Sequence, residues 1–290
     1  MKKLVKIGSL VFIVLVICIL TSCVHTNLIV ETIPEDTKVQ LVETDMLMTE
    51  FAGENMEAVP MDMQAVENVD KITVKHNEII DAENGKTYIK AGYDIFLIPE
   101  DFAIEHMELT KVLNDFNWEN EESAKKFIED NKEEVRTLIK ERTEEGLEFS
   151  SDSSVSICRN DDKFFTFSNA VSSYTGGAHG NGSTFGMNYD INTGKALTKD
   201  DIFADMEKLR VALLDKLKNG EQYKDNLFPD YEETINDMFK ENQEINILIN
   251  EKDVDVLFDP YFIGPWASGI INVTFDIEKD KDLFVKGLFN

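Results

Sequence analysis

The sequence predicts an α+β fold: two linked subdomains with mostly antiparallel sheet and packed helices. Three observations carry this. Strand-like alternation recurs, as in Lys71-Ile72-Thr73-Val74-Lys75 and again from Tyr88 to Ile98. Helical periodicity is confined to a few separate stretches, the clearest between Glu121 and Glu145. Hairpin-type turn signals such as Asn84-Gly85 join neighbouring strands, which argues against a doubly wound parallel sheet.

The elements follow in order. The folded region begins near Lys71, and Pro99 closes the second strand. In the helix 121–145, Ala124, Phe127, Ile128, Val135, Leu138 and Ile139 share one face, and Gly146 ends it. Residues 147–167 are β-rich with a turn at Asn160-Asp161-Asp162, and Met187–Ile191 is a short strand followed by the turn 192–195. A helix is expected from Asp200 to Lys218, closed by Gly220, and another from Pro229 through Phe239. Ile245–Ile249, Val254–Phe258 and Ile270–Ile277 are expected to complete the sheet. The expected organisation is residues 1–22, 23–69 as an acidic flexible tether, 70–170 as an N-terminal subdomain and 171–290 as a C-terminal one.

The first 23 residues set an address. Lys2, Lys3 and Lys6 precede an apolar run from Leu10 to Leu20, and Thr21-Ser22-Cys23 follows. The run is about half the length that spans a bilayer. The pattern resembles the signal peptide and lipobox of a bacterial lipoprotein, which implies cleavage before Cys23 and lipid on its thiol. An uncleaved anchor helix is the alternative, and both readings leave the rest of the chain outside the cytoplasm. The tether carries Pro34, Pro60 and many acids without a sustained period. As a flexible coil it would reach roughly 35–40 Å.

Composition narrows the function. The chain has 29 basic and 56 acidic residues. Loss of Lys2, Lys3 and Lys6 with the leader brings the net charge to about −30. Phosphate binding needs clustered Lys and Arg, so nucleic acid is not an expected partner. Contact with a membrane is expected through the lipid anchor only. The charge favours solubility and fast capture of a cationic partner. Cys18 leaves with the leader and Cys23 takes lipid, so Cys158 stands alone, as a small buried hydrophobe or, less favoured, a reactive thiol.

Two segments concentrate unusual residues. In Tyr174-Thr175-Gly176-Gly177-Ala178-His179-Gly180-Asn181-Gly182, the glycines permit backbone angles closed to other residues and let a partner approach bare backbone. Tyr174, Thr175 and His179 then either face a ligand or tie the loop to the sheet; the tie is favoured for His179. In Phe258-Asp259-Pro260-Tyr261-Phe262-Ile263-Gly264-Pro265-Trp266, stiff turns present aromatics that suit interface anchors or sugar-stacking platforms. Phe262 is expected to plug the core, while Tyr261 and Trp266 stand open between core and surface. No segment resembles a metal-binding or phosphate-cradling motif, His25, His76 and His106 are scattered, and no Ser or Cys has a placed base. Neither catalysis, nor a cofactor, nor a metal is expected.

These segments carry a resemblance. The run from Phe167 to Asn181, then Asn188-Tyr189-Asp190, Thr193-Gly194-Lys195 and Leu197-Thr198-Lys199-Asp200-Asp201-Ile202-Phe203, together with 258–269, is similar to the paired extracellular module of RsiV-like and PdaC-like proteins. It extends from about Lys71 to Asn290. The resemblance implies a two-piece α+β fold. In RsiV-like proteins the module is a receptor for lysozyme; in PdaC-like proteins it accompanies a deacetylase domain. The expectation is an envelope lipoprotein that binds a cationic lysozyme-type muramidase, with peptidoglycan as the alternative ligand. The expected binding residues are Tyr174, Thr175, Gly176, Gly177, His179, Pro260, Tyr261, Pro265 and Trp266.

Overall fold

The computed structural model describes residues 40–41, 71–83, 86–142 and 148–289. The expected signal peptide, Cys23, the Asn84-Gly85 turn and nearly all of the expected tether lie outside the described residues. The strands are β1 (Gln40–Leu41), β2 (Thr73–Glu83), β3 (Lys86–Leu97), β4 (Phe149–Asn160), β5 (Phe164–Tyr174), β6 (Asn181–Asp190), β7 (Ile247–Ile249), β8 (Asp253–Phe258) and β9 (Ile271–Asp276). The helices are α1 (Glu100–Glu105), α2 (Met107–Arg142), α3 (Lys199–Ile202), α4 (Met206–Asn219) and α5 (Tyr231–Lys240). The fold is α+β, with two sheets.

The first sheet runs β1-β2-β3-β4-β5-β6, and every neighbour is antiparallel except β3 and β4. A parallel pair needs a crossover, which α1 and α2 supply across one face. On that face Leu109, Leu113, Ala124 and Val135 of α2 are buried among Tyr93, Phe149, Phe165 and Phe167.

α2 starts at Met107, well before the expected Glu121, because Asn114, Asn117 and Asn120 interrupt the helical signal. Two of these asparagines serve the sheet. β3 and β4 pair only as far as Tyr93 and Ser153. Beyond that point Asn117 accepts from Phe96 N–H at 2.7 Å and donates to its carbonyl at 2.8 Å, and Asn120 donates to the Asp94 carbonyl at 3.0 Å. Asp94 Oδ2 accepts from Val155 N–H at 2.7 Å. Side chains thus replace a ladder that has run out.

Strands 245–277 do not complete the first sheet. They form a second one, β7-β8-β9, covered by α4 and α5 through Leu209, Leu213, Leu217 and Ile235. β7 docks on β5 and β6. Thr166 Oγ1 donates to Ile249 O at 2.6 Å; Asn188 Nδ2 donates to Ile247 O at 2.6 Å, and its Oδ1 accepts from Ile249 N–H at 2.8 Å. Gly186 leaves room for this approach, since a Cβ there would lie 1.9 Å from Ile247 O. Position 170 falls in the middle of β5.

The helix expected from Asp200 to Lys218 is two helices. Asp205 caps α4 by accepting from Glu207 and Lys208 N–H, and Ala204 N–H donates to Leu283 O at 2.9 Å. Phe203 is buried against Phe284 and Phe275. A good cap and a buried ring outweigh helix continuity here.

Candidate functional site

The two unusual segments converge at one place. The first bridges β5 and β6. Gly176 and Gly177 have φ of 93° and 99°, so the reversal needs residues without a Cβ. Tyr174 Oη donates to Gly177 O at 3.0 Å, and His179 Nδ1–H donates to Gly180 O at 2.9 Å. These bonds close the loop on itself and do not tie His179 to the sheet, and the His179 ring stays exposed. Thr175 is exposed at the start of the loop.

The second segment links β8 to β9. Tyr261 N–H donates to Gly264 O at 2.9 Å and Phe262 N–H to Asp259 O at 3.1 Å. Tyr261 has φ of 71°, a conformation that costs a non-glycine residue of order 1 kcal/mol and persists only where its surroundings enforce it. The surroundings do so. Ile263 is fully buried, its carbonyl accepts from Phe228 N–H at 2.9 Å, and a Cβ on Gly264 would lie 2.2 Å from Asn226 O. Pro260 and Pro265 precede the two exposed rings and fix φ there. Ile263, not Phe262, is the core plug. Phe262 is 37% exposed and stacks on Phe258, because the left-handed Tyr261 turns the chain so that Ile263 points inward.

Three rings meet at the surface. His179 and Trp266 stack with centroids 4.4 Å apart and planes 24° from parallel. The Tyr261 ring centroid is 6.5 Å from that of His179, and its hydroxyl is 3.4 Å from His179 Nε2. With the Nδ1 proton on Gly180 O, Nε2 is the acceptor for the Tyr261 hydroxyl. Tyr261 is 58% exposed and Trp266 40%.

Asp259 ties the two segments together. Its carboxylate accepts from Thr184 N–H at 3.4 Å and from Ser183, and burial raises its pKa above the ordinary 3.8 despite these bonds. Asn246 completes the joint by accepting from Gly186 N–H at 2.9 Å. These side chains also cover the outer edge of β6. Asp259 and Asn246 were missing from the sequence-based site; Asp before Pro is a turn signal, but its partner on β6 has no local signature.

Cys158 is half-buried, its thiol donates to Ser156 O at 3.3 Å, and burial raises its pKa. A raised pKa disfavours the thiolate and hence nucleophilic reactivity.

The fold and the site define an α+β module of two sheets joined edge to face, with an exposed ring cluster beside the joint. The family profile described as Deacetylase PdaC matches residues 97–182, which run from the end of β3 into β6 and include the glycine loop. A crystal structure of a DUF3298 family protein from Pseudomonas aeruginosa PAO1 is similar, with 15% identity and a TM-score of 0.51 over 76% of this chain and 96% of that one. A DUF3298 family member from Bacteroides fragilis NCTC 9343 is also similar, at 15% identity and a TM-score of 0.50, covering 74% and 94%. At that identity the two structures establish the fold alone. No curated protein matches the chain. Residues 97–182 thus resemble the PdaC family, and the chain shares the fold of the two DUF3298 structures.

Proposed function

We propose that this chain is a lipoprotein held outside the cytoplasm through Cys23, and that its module binds a cationic protein of the lysozyme-type muramidase class without performing chemistry itself. One observation carries the reading. Two segments far apart in sequence meet in one exposed cluster, Tyr261, His179 and Trp266, held by anchored turns and a left-handed tyrosine. Rigid, solvent-facing aromatics lose little entropy on binding and serve as interface anchors. The net charge of −27 would speed encounter with a basic partner. The test is a titration of residues 24–290 with lysozyme at low and at moderate salt. Binding that persists at moderate salt and weakens in Trp266→Ala supports the proposal; absence of binding at low salt removes it.

A second reading rests on the same stack. Flat rings also form platforms for sugars, so peptidoglycan is the alternative ligand. Retention on isolated peptidoglycan that is lost in Trp266→Ala, with no lysozyme binding, would favour it.

A further inference from the structure

We propose that His76 and Asp152 form a binding site for a divalent first-row transition ion on the face of the first sheet opposite α2. The site is separate from the ring cluster and does not rest on the reading of that cluster. Strand register brings the residues together. His76 on β2 stands opposite Asp94 on β3, and Gly92, two residues before Asp94, stands opposite Asp152 on β4. Residues two apart on a strand share a face, so these side chains rise from one face.

Each candidate ligand is already oriented by a partner. Asp94 is 7% exposed, and its Oδ1 accepts from His76 Nδ1–H at 2.7 Å while its Oδ2 is occupied by Val155 N–H. This places an imidazole proton on Nδ1 and turns Nε2 toward Asp152. A carboxylate behind a histidine is the usual arrangement behind a metal-bound imidazole. Asp152 Oδ2 is held by the Ser154 hydroxyl, which leaves Oδ1 turned toward His76.

His76 Nε2 and Asp152 Oδ1 face each other at 3.8 Å, within ion-pair reach but too far to share a hydrogen bond. Two atoms each about 2.0–2.1 Å from one ion are about 3.4 Å apart at a tetrahedral angle and about 2.9 Å apart at a square-planar one, so rotation of the two side chains brings both onto one ion. Both side chains are partly exposed, which gives an ion access.

Gly92 makes the approach feasible. A Cβ at this position would lie 2.2 Å from Asp152 Oδ1 and 2.9 Å from His76 Cε1. Its missing side chain opens the space over which the two ligands lean. Glu78, opposite Gly92 on β2, is paired with Lys90 at 2.8 Å and is not counted as a ligand.

Among the described residues no group of three or more His, Cys, Asp or Glu side chains could hold a metal, so the protein would supply two ligands and water the remainder. An imidazole nitrogen beside one carboxylate favours zinc, nickel or copper over calcium or magnesium, and copper(II) binds most tightly in that series.

The test is titration of the full-length chain in detergent with Cu²⁺ alone, read by calorimetry and by electron paramagnetic resonance, with a thermal melt of every variant. The wild type should show a site with one imidazole nitrogen on copper. His76→Gln and Asp152→Asn should each weaken that site at least tenfold. Gly92→Ala removes no ligand, and the atoms nearest the added methyl are the ends of the Asp152 and His76 side chains. It should fold as the wild type does and still lose at least tenfold. His179→Gln should leave the site unchanged. A wild-type affinity no higher than that of His76→Gln, or full binding in a folded Gly92→Ala, would overturn the proposal.

Discussion

The imidazole of His179 lies on the indole of Trp266 with centroids 4.4 Å apart, and this stack joins the β5–β6 loop to the β8–β9 connection. Both rings remain accessible, so the stack presents surface and does not fill the core. Replacing Tyr261 with Gly separates its two roles. Glycine relieves the strain at φ 71° but removes the ring. Tyr261→Gly should therefore change unfolding free energy by less than about 1 kcal/mol. It should weaken partner binding by at least tenfold, about 1.4 kcal/mol. Denaturant melts and a binding titration on the same preparation check both halves.

The contact of Asn188 with Ile247 and Ile249 is the polar lock between the sheets. Asn188→Leu would strand the buried Ile249 N–H and Ile247 carbonyl without those partners. Each stranded group costs about 1–3 kcal/mol, so a total loss of about 2–6 kcal/mol is expected in urea unfolding.

Two glycine substitutions should differ in origin and size. Gly186→Ala drives a methyl to within 1.9 Å of the Ile247 carbonyl oxygen, which is backbone and must be displaced. A loss of about 2–3 kcal/mol is expected. Gly177→Ala meets nothing within 4 Å and pays only for its positive φ, about 1–2 kcal/mol. Paired chemical melts of the two variants check the order.

The capping box at α3 should produce an acid-dependent stability term. The Thr198 hydroxyl and N–H meet Asp201 Oδ2 at 2.9 Å, and Lys195 reaches Asp201 Oδ1 at 2.7 Å. The Lys195 bond first, then Thr198, pull the Asp201 pKa from 3.8 to about 2. A carboxyl with a lowered folded pKa contributes stability above its unfolded pKa and loses it as the pH falls through the folded one. The stability gap between wild type and Asp201→Asn should be constant from pH 5 to 7 and should close between pH 4 and 2. Urea unfolding at each pH measures it.

Much of the fold was legible because its signals are local. Alternation marked β2, β3, β8 and β9, the Asn160–Asp162 turn separates β4 from β5, and apolar spacing marked the second half of α2. What was not legible depends on contacts distant in sequence. Asn117 and Asn120 weaken a helix signal in order to serve a strand, and Phe203 leaves a helix to pack on Phe284. The segments behind the family resemblance divide by role. Asn188 joins the sheets. Thr198 and Asp201 cap α3, Lys199 is buried with its ammonium on the Asn242 and Gln243 carbonyls, and Ile202 is fully buried. The glycine loop and the Pro-Tyr and Pro-Trp turns meet at the surface. Their composition marked them as special, but their meeting depends on Asp259 and Asn246, whose partners lie on another strand.

Hydrogen exchange of residues 24–290, with and without lysozyme at moderate salt, tests the ring-cluster assignment most directly. Slowed exchange is expected in 174–182 and 259–269, with little change along α2 and α4. Unchanged exchange in both segments, or protection confined to other parts of the chain, would contradict it.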